Sequence, residues 1–179
     1  MAVLNDFQTE VLDAAKKAFS LLRERHPNEH FYAYSLYTDS SAMTIVPAAN
    51  TIEYLDGILD EESENELSYY KWTTAEWGYE AIGGEYFKNV CRIIRNDHHQ
   101  EEYLSHFNKI CNDMMLVLQQ LDKDGFFGVG NEREKVTLFI TISDDDRSLN
   151  IENKSASILN SHDIYINFLS RFGGRASNP

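Results

Sequence analysis

Proline is scarce in this chain, with three in 179 residues, too few for a proline-rich linker. Cysteine is scarcer, with Cys91 and Cys111 alone. Each sits among apolar residues at helical spacing, which marks a buried free thiol more than a disulfide framework. Neither has the CxxC partner of a zinc or redox site. No apolar run approaches the roughly 18 residues that a membrane-spanning helix needs. The opening segment, MAVLNDFQTEVLD, carries acids where a signal peptide has a basic region and an apolar stretch. A cytoplasmic protein is expected. Bases are outnumbered, 16 against 29 acids, for a net charge of −13. They are scattered along the chain. Nucleic acids and anionic membranes are bound by clustered Lys and Arg that neutralise phosphate, so neither partner is expected.

Hydrophobic residues make up 42% and aromatics 12%, which sets the chain apart from disordered sequences. We expect one α+β domain over residues 1–172 and a disordered tail over 173–179. The organising stretch is 135–146, KVTLFITISDDD. Its β-branched and aromatic run predicts a strand buried on one face at least and on both by preference, the central strand of the only sheet, and its three acids lead out into solvent. Residues 3–25 predict an amphipathic helix, with Leu4, Phe7, Val11, Ala14, Ala18 and Leu22 three or four apart. His26 and Pro27 end it.

A strand is predicted over 30–38, HFYAYSLYT, then a turn at Asp39, Ser40 and Ser41. A returning strand over 42–46, stopped by Pro47, completes a hairpin. Asn50 and Glu53 have capping-box spacing and open a short helix to about Leu59. Residues 67–72 read as a short aromatic strand or extended segment. Thr73 and Glu76 make a second capping box for a helix that breaks at Gly83 and Gly84. It resumes with Phe87, Val90, Cys91 and Ile94. The clearest helix runs through Tyr103, Phe107, Ile110, Met114, Val117 and Leu121. A short helix over 151–160 and a terminal one over 163–172 complete an α+β fold: a small antiparallel sheet with several helices packed mainly on one side.

Motifs for small-ligand chemistry fail one by one. Asp122, Lys123, Asp124 and Gly125 resemble the middle of an EF-hand loop, but its ends fall on Gln120 and Asn131, which do not close an oxygen cage. Gly125, Gly128 and Gly130 follow a helix and precede a strand, the reverse of a phosphate-cradling loop. His98 and His99 are adjacent and point apart, and Glu102 with His106 is only a pair. No HExxH and no GxSxG occurs. No catalytic residue, metal ligand or cofactor is therefore expected. Trp72 and Trp77, flanking Glu76, read as core. Two acid runs stand out. Asp60, Glu61, Glu62, Glu64 and Glu66 put five acids in seven residues. Asp144, Asp145 and Asp146 close the apolar strand.

Several stretches occur in a set order over about residues 30–160: FYAYSLYTD, NTIEYL, YYKWTTAEWGYE, LDKDGFFG, LFITISDDD and SASILN. Together they resemble the bacterial domain-of-unknown-function family DUF4303. The resemblance implies a place beside secreted toxins and a role as an immunity protein. It supplies no catalytic residue. The expected function is a non-catalytic protein-binding module that docks Asp60, Glu61, Glu62, Glu64, Glu66, Asp144, Asp145 and Asp146 onto a cognate toxin, with electrostatic steering. The alternatives are a small metal-dependent hydrolase using Asp144 and Asp145, and a regulatory scaffold. The oligomeric state is left open.

Overall fold

The structure is a computed structural model that describes residues 4–59, 66–97 and 102–173. Helix α1, Asp6–Arg25, starts at a full capping box. Asn5 Oδ1 accepts from the Gln8 amide at 2.8 Å, and Gln8 Oε1 accepts from the Asn5 amide at 3.0 Å. Its apolar stripe buries Val11, Ala15, Ala18, Phe19 and Leu22 completely. At its end the chain turns through Pro27 into β1, Phe31–Thr38.

Four strands form one mixed sheet in the order β3-β2-β1-β4. The other strands are β2, Val46–Thr51, β3, Tyr79–Glu80, and β4, Thr137–Ile142. β2 runs antiparallel to β1, with Leu36 opposite Pro47. β4 runs parallel to β1, with Leu36 opposite Ile140. The sheet is thus not purely antiparallel. β1 and β2 are its inner strands, and the 135–146 run lies at an edge.

The strand expected to be central is nevertheless buried on both faces. Its free edge is closed by side chains instead of a further strand. Helix α6, Ser148–Leu159, lies along it. The Ile140 amide donates to Ser155 Oγ at 3.0 Å, and the Leu138 amide donates to Asn160 Oδ1 at 2.9 Å. Asn160 Nδ2 returns a bond to the Leu138 carbonyl at 2.7 Å. Buried backbone groups require partners, and a serine and an asparagine supply them here.

Helices cover both faces of the sheet, not mainly one. On one face α1 packs with α4, Lys88–Asp97, and α5, Tyr103–Lys123, over Tyr34, Leu36, Leu138 and Ile140. On the other, Tyr32, Ala33 and Phe139 meet Leu55 of α2, Ile52–Ile58, and Phe168 of α7, His162–Leu169. An irregularity in the β1–β2 register between Phe31 and Ala33 puts Tyr32 and Ala33 on the same side. Strict alternation would set Tyr32 with Tyr34, and it fails there.

Further differences have local causes. The returning strand starts at Val46, not Ala42. Asp39 holds the intervening loop, accepting from the Ser41 amide at 2.9 Å and from Thr44 Oγ1 at 2.6 Å. Pro47 lies inside β2 instead of ending it. Its carbonyl faces β3 and accepts from the Ala81 amide at 3.0 Å. Its nitrogen therefore faces the same side, away from β1, where no ladder bond to β1 is lost. The cap of α2 is Thr51, not Asn50. Asn50 is buried, donating to Tyr32 Oη at 2.9 Å and accepting from the Gly78 amide at 3.2 Å. Glu53 instead bonds the His30 amide at 2.7 Å.

Leu67–Trp72 is a helix, α3, and not a strand. Residues 73–82 do not continue as a helix either. A single 3-10 turn, Thr74–Glu76, leads into β3. Glu76 accepts from Tyr69 Oη rather than capping Thr73. The break at Gly83 is real, with φ +81, and a Cβ there would lie 2.7 Å from Ala18 Cβ. This glycine lets the chain pass close against α1.

Candidate functional site

Beyond the carboxyl ends of the parallel strands β1 and β4 opens a cleft of about 700 Å³. Its floor is Tyr37 at the end of β1 and Thr141 and Ile142 at the end of β4. Trp72, the last residue of α3, and Phe172, just past α7, contribute aromatic walls. Phe172 is 52% exposed, unusual for a phenylalanine that also faces a cleft. Trp72 is positioned from behind by an edge-on contact with Phe168, ring centroids 5.0 Å apart. α3 itself is held by its end: Tyr32 Oη and Trp77 Nε1 both donate to the Lys71 carbonyl, at 2.8 and 3.0 Å.

Four carboxylates line the cleft: Glu80, Asp144, Asp145 and Glu152. They differ in their pairing. Glu152 Oε2 lies 2.7 Å from Arg171 Nη2, and its Oε1 accepts from Thr141 Oγ1 at 2.5 Å. The Arg171 side chain is 1% exposed, and Arg171 Nη1 also donates to Asn153 Oδ1. Burial lowers the Arg171 pKa, an effect opposed by Glu152. This pair is a structural strut, since a buried charge requires an opposite one beside it.

Asp145 is held by Arg147. Its Oδ1 accepts from the Arg147 amide and Nε, both at 2.8 Å, and its Oδ2 from Nη2 at 2.5 Å. Those bonds pull the Asp145 carboxyl down to about 2 from its ordinary 3.8 and raise the Arg147 guanidinium. Arg147 also donates to Tyr103 Oη at 2.7 Å and lies 4.0 Å over the Phe107 ring. The pair ties the loop after β4 to α5.

Among the described residues, Glu80 and Asp144 have no cationic partner. Glu80 accepts from Tyr37 Oη. Burial raises the Tyr37 pKa, and the bond to Glu80 raises it further, so the phenol stays a donor. Asp144 is exposed at the first turn after β4, with φ 52. Aspartate tolerates this left-handed backbone better than most residues. Among the described residues its carboxylate has no hydrogen bond or ion pair. The cleft thus offers two carboxylates with no cationic partner, framed by hydroxyls and aromatic rings. Such a lining suits a cationic group with an aliphatic or planar stem. Among the described residues no three of His, Cys, Asp and Glu come together as a metal centre would require.

The acid residues read from the sequence separate accordingly. Asp144 and Asp145 line the cleft. Asp146 is exposed but does not line it. Glu66 is exposed at the start of α3 and lies apart from the cleft lining. Asp60, Glu61, Glu62 and Glu64 lie outside the described residues, as do His98, His99 and residues 174–179 of the expected tail. Sequence reasoning missed Glu80, Glu152, Tyr37 and Arg171. Glu80 was placed inside a helix, and Glu152 gave no signal beyond an acid on a helix.

The fold and the cleft together define an α+β protein with a mixed sheet, helices on both faces, and an acidic cleft at the strand ends. No helix among the described residues is long and apolar enough to cross a membrane. The chain belongs to the family described as domain of unknown function (DUF4303), whose model matches residues 11–161. The match reaches from α1 through α6 and includes all four carboxylates of the cleft. The comparison with curated proteins and that with solved structures each found no match.

Proposed function

We propose that this chain is a non-catalytic protein-binding module, a bacterial cytoplasmic immunity protein that neutralises a cognate toxin. The observation that supports this most is the cleft, whose lining joins Trp72 and Phe172 to Glu80 and Asp144, two carboxylates with no cationic partner among the described residues. A Lys or Arg side chain of a partner complements it, its head on the carboxylates and its stem against the rings. The net charge of −13 adds long-range attraction toward a basic surface. Inhibition follows from occlusion, because a toxin whose basic residues are docked here cannot present them to its own target.

The metal-dependent hydrolase reading loses support at Asp145, whose carboxylate is engaged on both oxygens by Arg147. A ligand to a metal would have to give up those bonds. The regulatory-scaffold reading shares the docking chemistry and differs in its partner.

The test is co-expression with the product of the adjacent gene. The expected result is that the neighbour's toxicity is silenced and the two proteins elute together at low and moderate salt. Growth inhibition that persists, with no co-elution, contradicts the immunity reading. Co-elution with a neighbour that is harmless alone points to the scaffold.

A further inference from the structure

At the opposite end of the same two strands lies a second cavity, of about 320 Å³. The cleft sits beyond Tyr37 and Ile142; this cavity sits beside Phe31 and Val136, where β1 and β4 begin. Its lining mixes bases and acids: Arg23, His26, His30 and Lys135 with Glu29 and Glu132. His26 pairs with Glu29, His30 with Glu53 and Lys135 with Glu132, which sets Arg23 apart. Phe31 is the cavity's partly exposed aromatic wall, backed by the buried Tyr34 and Phe127.

Arg23 makes this more than a coincidence of composition. Four arginines among the described residues are partly or fully buried: Arg23, Arg133, Arg147 and Arg171. Three are paired, Arg133 with Asp122, Arg147 with Asp145 and Arg171 with Glu152. Arg23 has no carboxylate partner among the described residues. Its Nε donates to Tyr34 Oη at 3.1 Å, and its guanidinium lies 4.5 Å over the Phe126 ring. Those contacts fix the group's position without neutralising it. A half-buried guanidinium held this way is arranged for an anion from outside.

The acids nearby are already engaged. Glu29 accepts from Thr51 Oγ1 and Tyr79 Oη, each at 2.6 Å, and bonds His26 Nδ1 at 2.9 Å. Glu132 accepts from Lys135 at 2.7 Å. The Phe31 and Tyr34 rings stack at 5.4 Å, and Phe127 packs on Tyr34 at 4.9 Å. They form an apolar wall beside the cation. The volume is at the small end of ligand sites.

We infer that this cavity binds a small organic anion, its carboxylate or phosphate group on Arg23 and its flat apolar part against Phe31. The site is separate from the acidic cleft and does not rest on the toxin reading.

The probes are benzoate, phenyl phosphate and the neutral analogue benzyl alcohol, titrated into isotope-labelled protein at millimolar concentrations. The expected result is saturable shifts of the Arg23 Nε–H and Gly128 amide signals with at least one anion. The tighter of the two anions identifies the oxyanion class. Benzyl alcohol should bind about tenfold or more weakly, the effect expected of a lost charge-assisted bond. Arg23→Gln should weaken anion binding by a similar factor, and Arg23→Lys should recover part of it. The comparison of anion with alcohol uses the unaltered chain, so it holds whether or not the variants fold. No saturable shift with either anion, equal binding of benzyl alcohol, or unchanged binding to a folded Arg23→Gln variant would overturn the proposal.

Discussion

At the scale of single residues, the chain uses charge in two ways that composition does not distinguish. Asp145 and Glu152 are engaged internally, each by an arginine. Glu80 and Asp144 face the cleft with no arginine partner among the described residues. The distinction has a pH signature. The Asp145 pKa is lowered on folding from 3.8 to about 2. A group with a depressed folded pKa stabilises the fold above its unfolded value, and the stabilisation is lost as pH falls through the folded one. The Asp145–Arg147 pair therefore contributes fully above pH 3.8 and fades as pH falls toward about 2. Asp145→Asn should lower stability at neutral pH and flatten the acid limb of the stability–pH profile. Urea unfolding across that range checks it; an unchanged acid limb would mean that the pair does not couple to folding.

At the scale of elements, the long helices α1 and α5 were legible in the sequence, whereas the short segments 67–72 and 73–82 and the packing partners were not. The stripes of α1 and α5 are written in apolar residues three and four apart, and both helices stand where the periodicity puts them. The 135–146 run correctly announces a strand with two buried faces. Its position at the edge was hidden, because what closes that edge is two polar side chains 15 and 22 residues away. Local spacing also misled at Asn50, which is taken by Tyr32 and Gly78, and at Thr73, where Glu76 accepts from Tyr69 instead. The cleft was half legible: Asp144 and Asp145 ended an obvious strand, whereas Glu80 and Glu152 arrive from β3 and α6 by topology alone. The edge closure makes a direct prediction. Asn160→Ala leaves the Leu138 amide and carbonyl without their partner, at a cost of about 1–3 kcal/mol. Hydrogen exchange should speed at Leu138 more than at Leu36 on the inner strand β1. Equal protection in the variant and the parent chain would show that Asn160 does not close the edge.

At the scale of the whole molecule, the two ends of the parallel strand pair carry opposite chemistry. Among the described residues, the amino end holds a guanidinium with no carboxylate partner, among aromatic rings, and the carboxyl end holds two carboxylates with no cationic partner. On the proposed function, a net charge of −13 steers a basic partner toward the chain, and the cleft is where it would dock. Steering and docking are separable by salt, since long-range attraction is screened while a seated ion pair is screened much less. The most direct measurement is the association rate with the co-purified neighbour for the parent chain and the Glu80→Gln/Asp144→Asn double variant at low and moderate salt. The account predicts a rate that falls with salt for the parent chain, and a slower rate with a shallower salt dependence for the variant. It also predicts faster dissociation of the variant at both salts. The same rates and the same salt dependence for both proteins would contradict the cleft as the docking site.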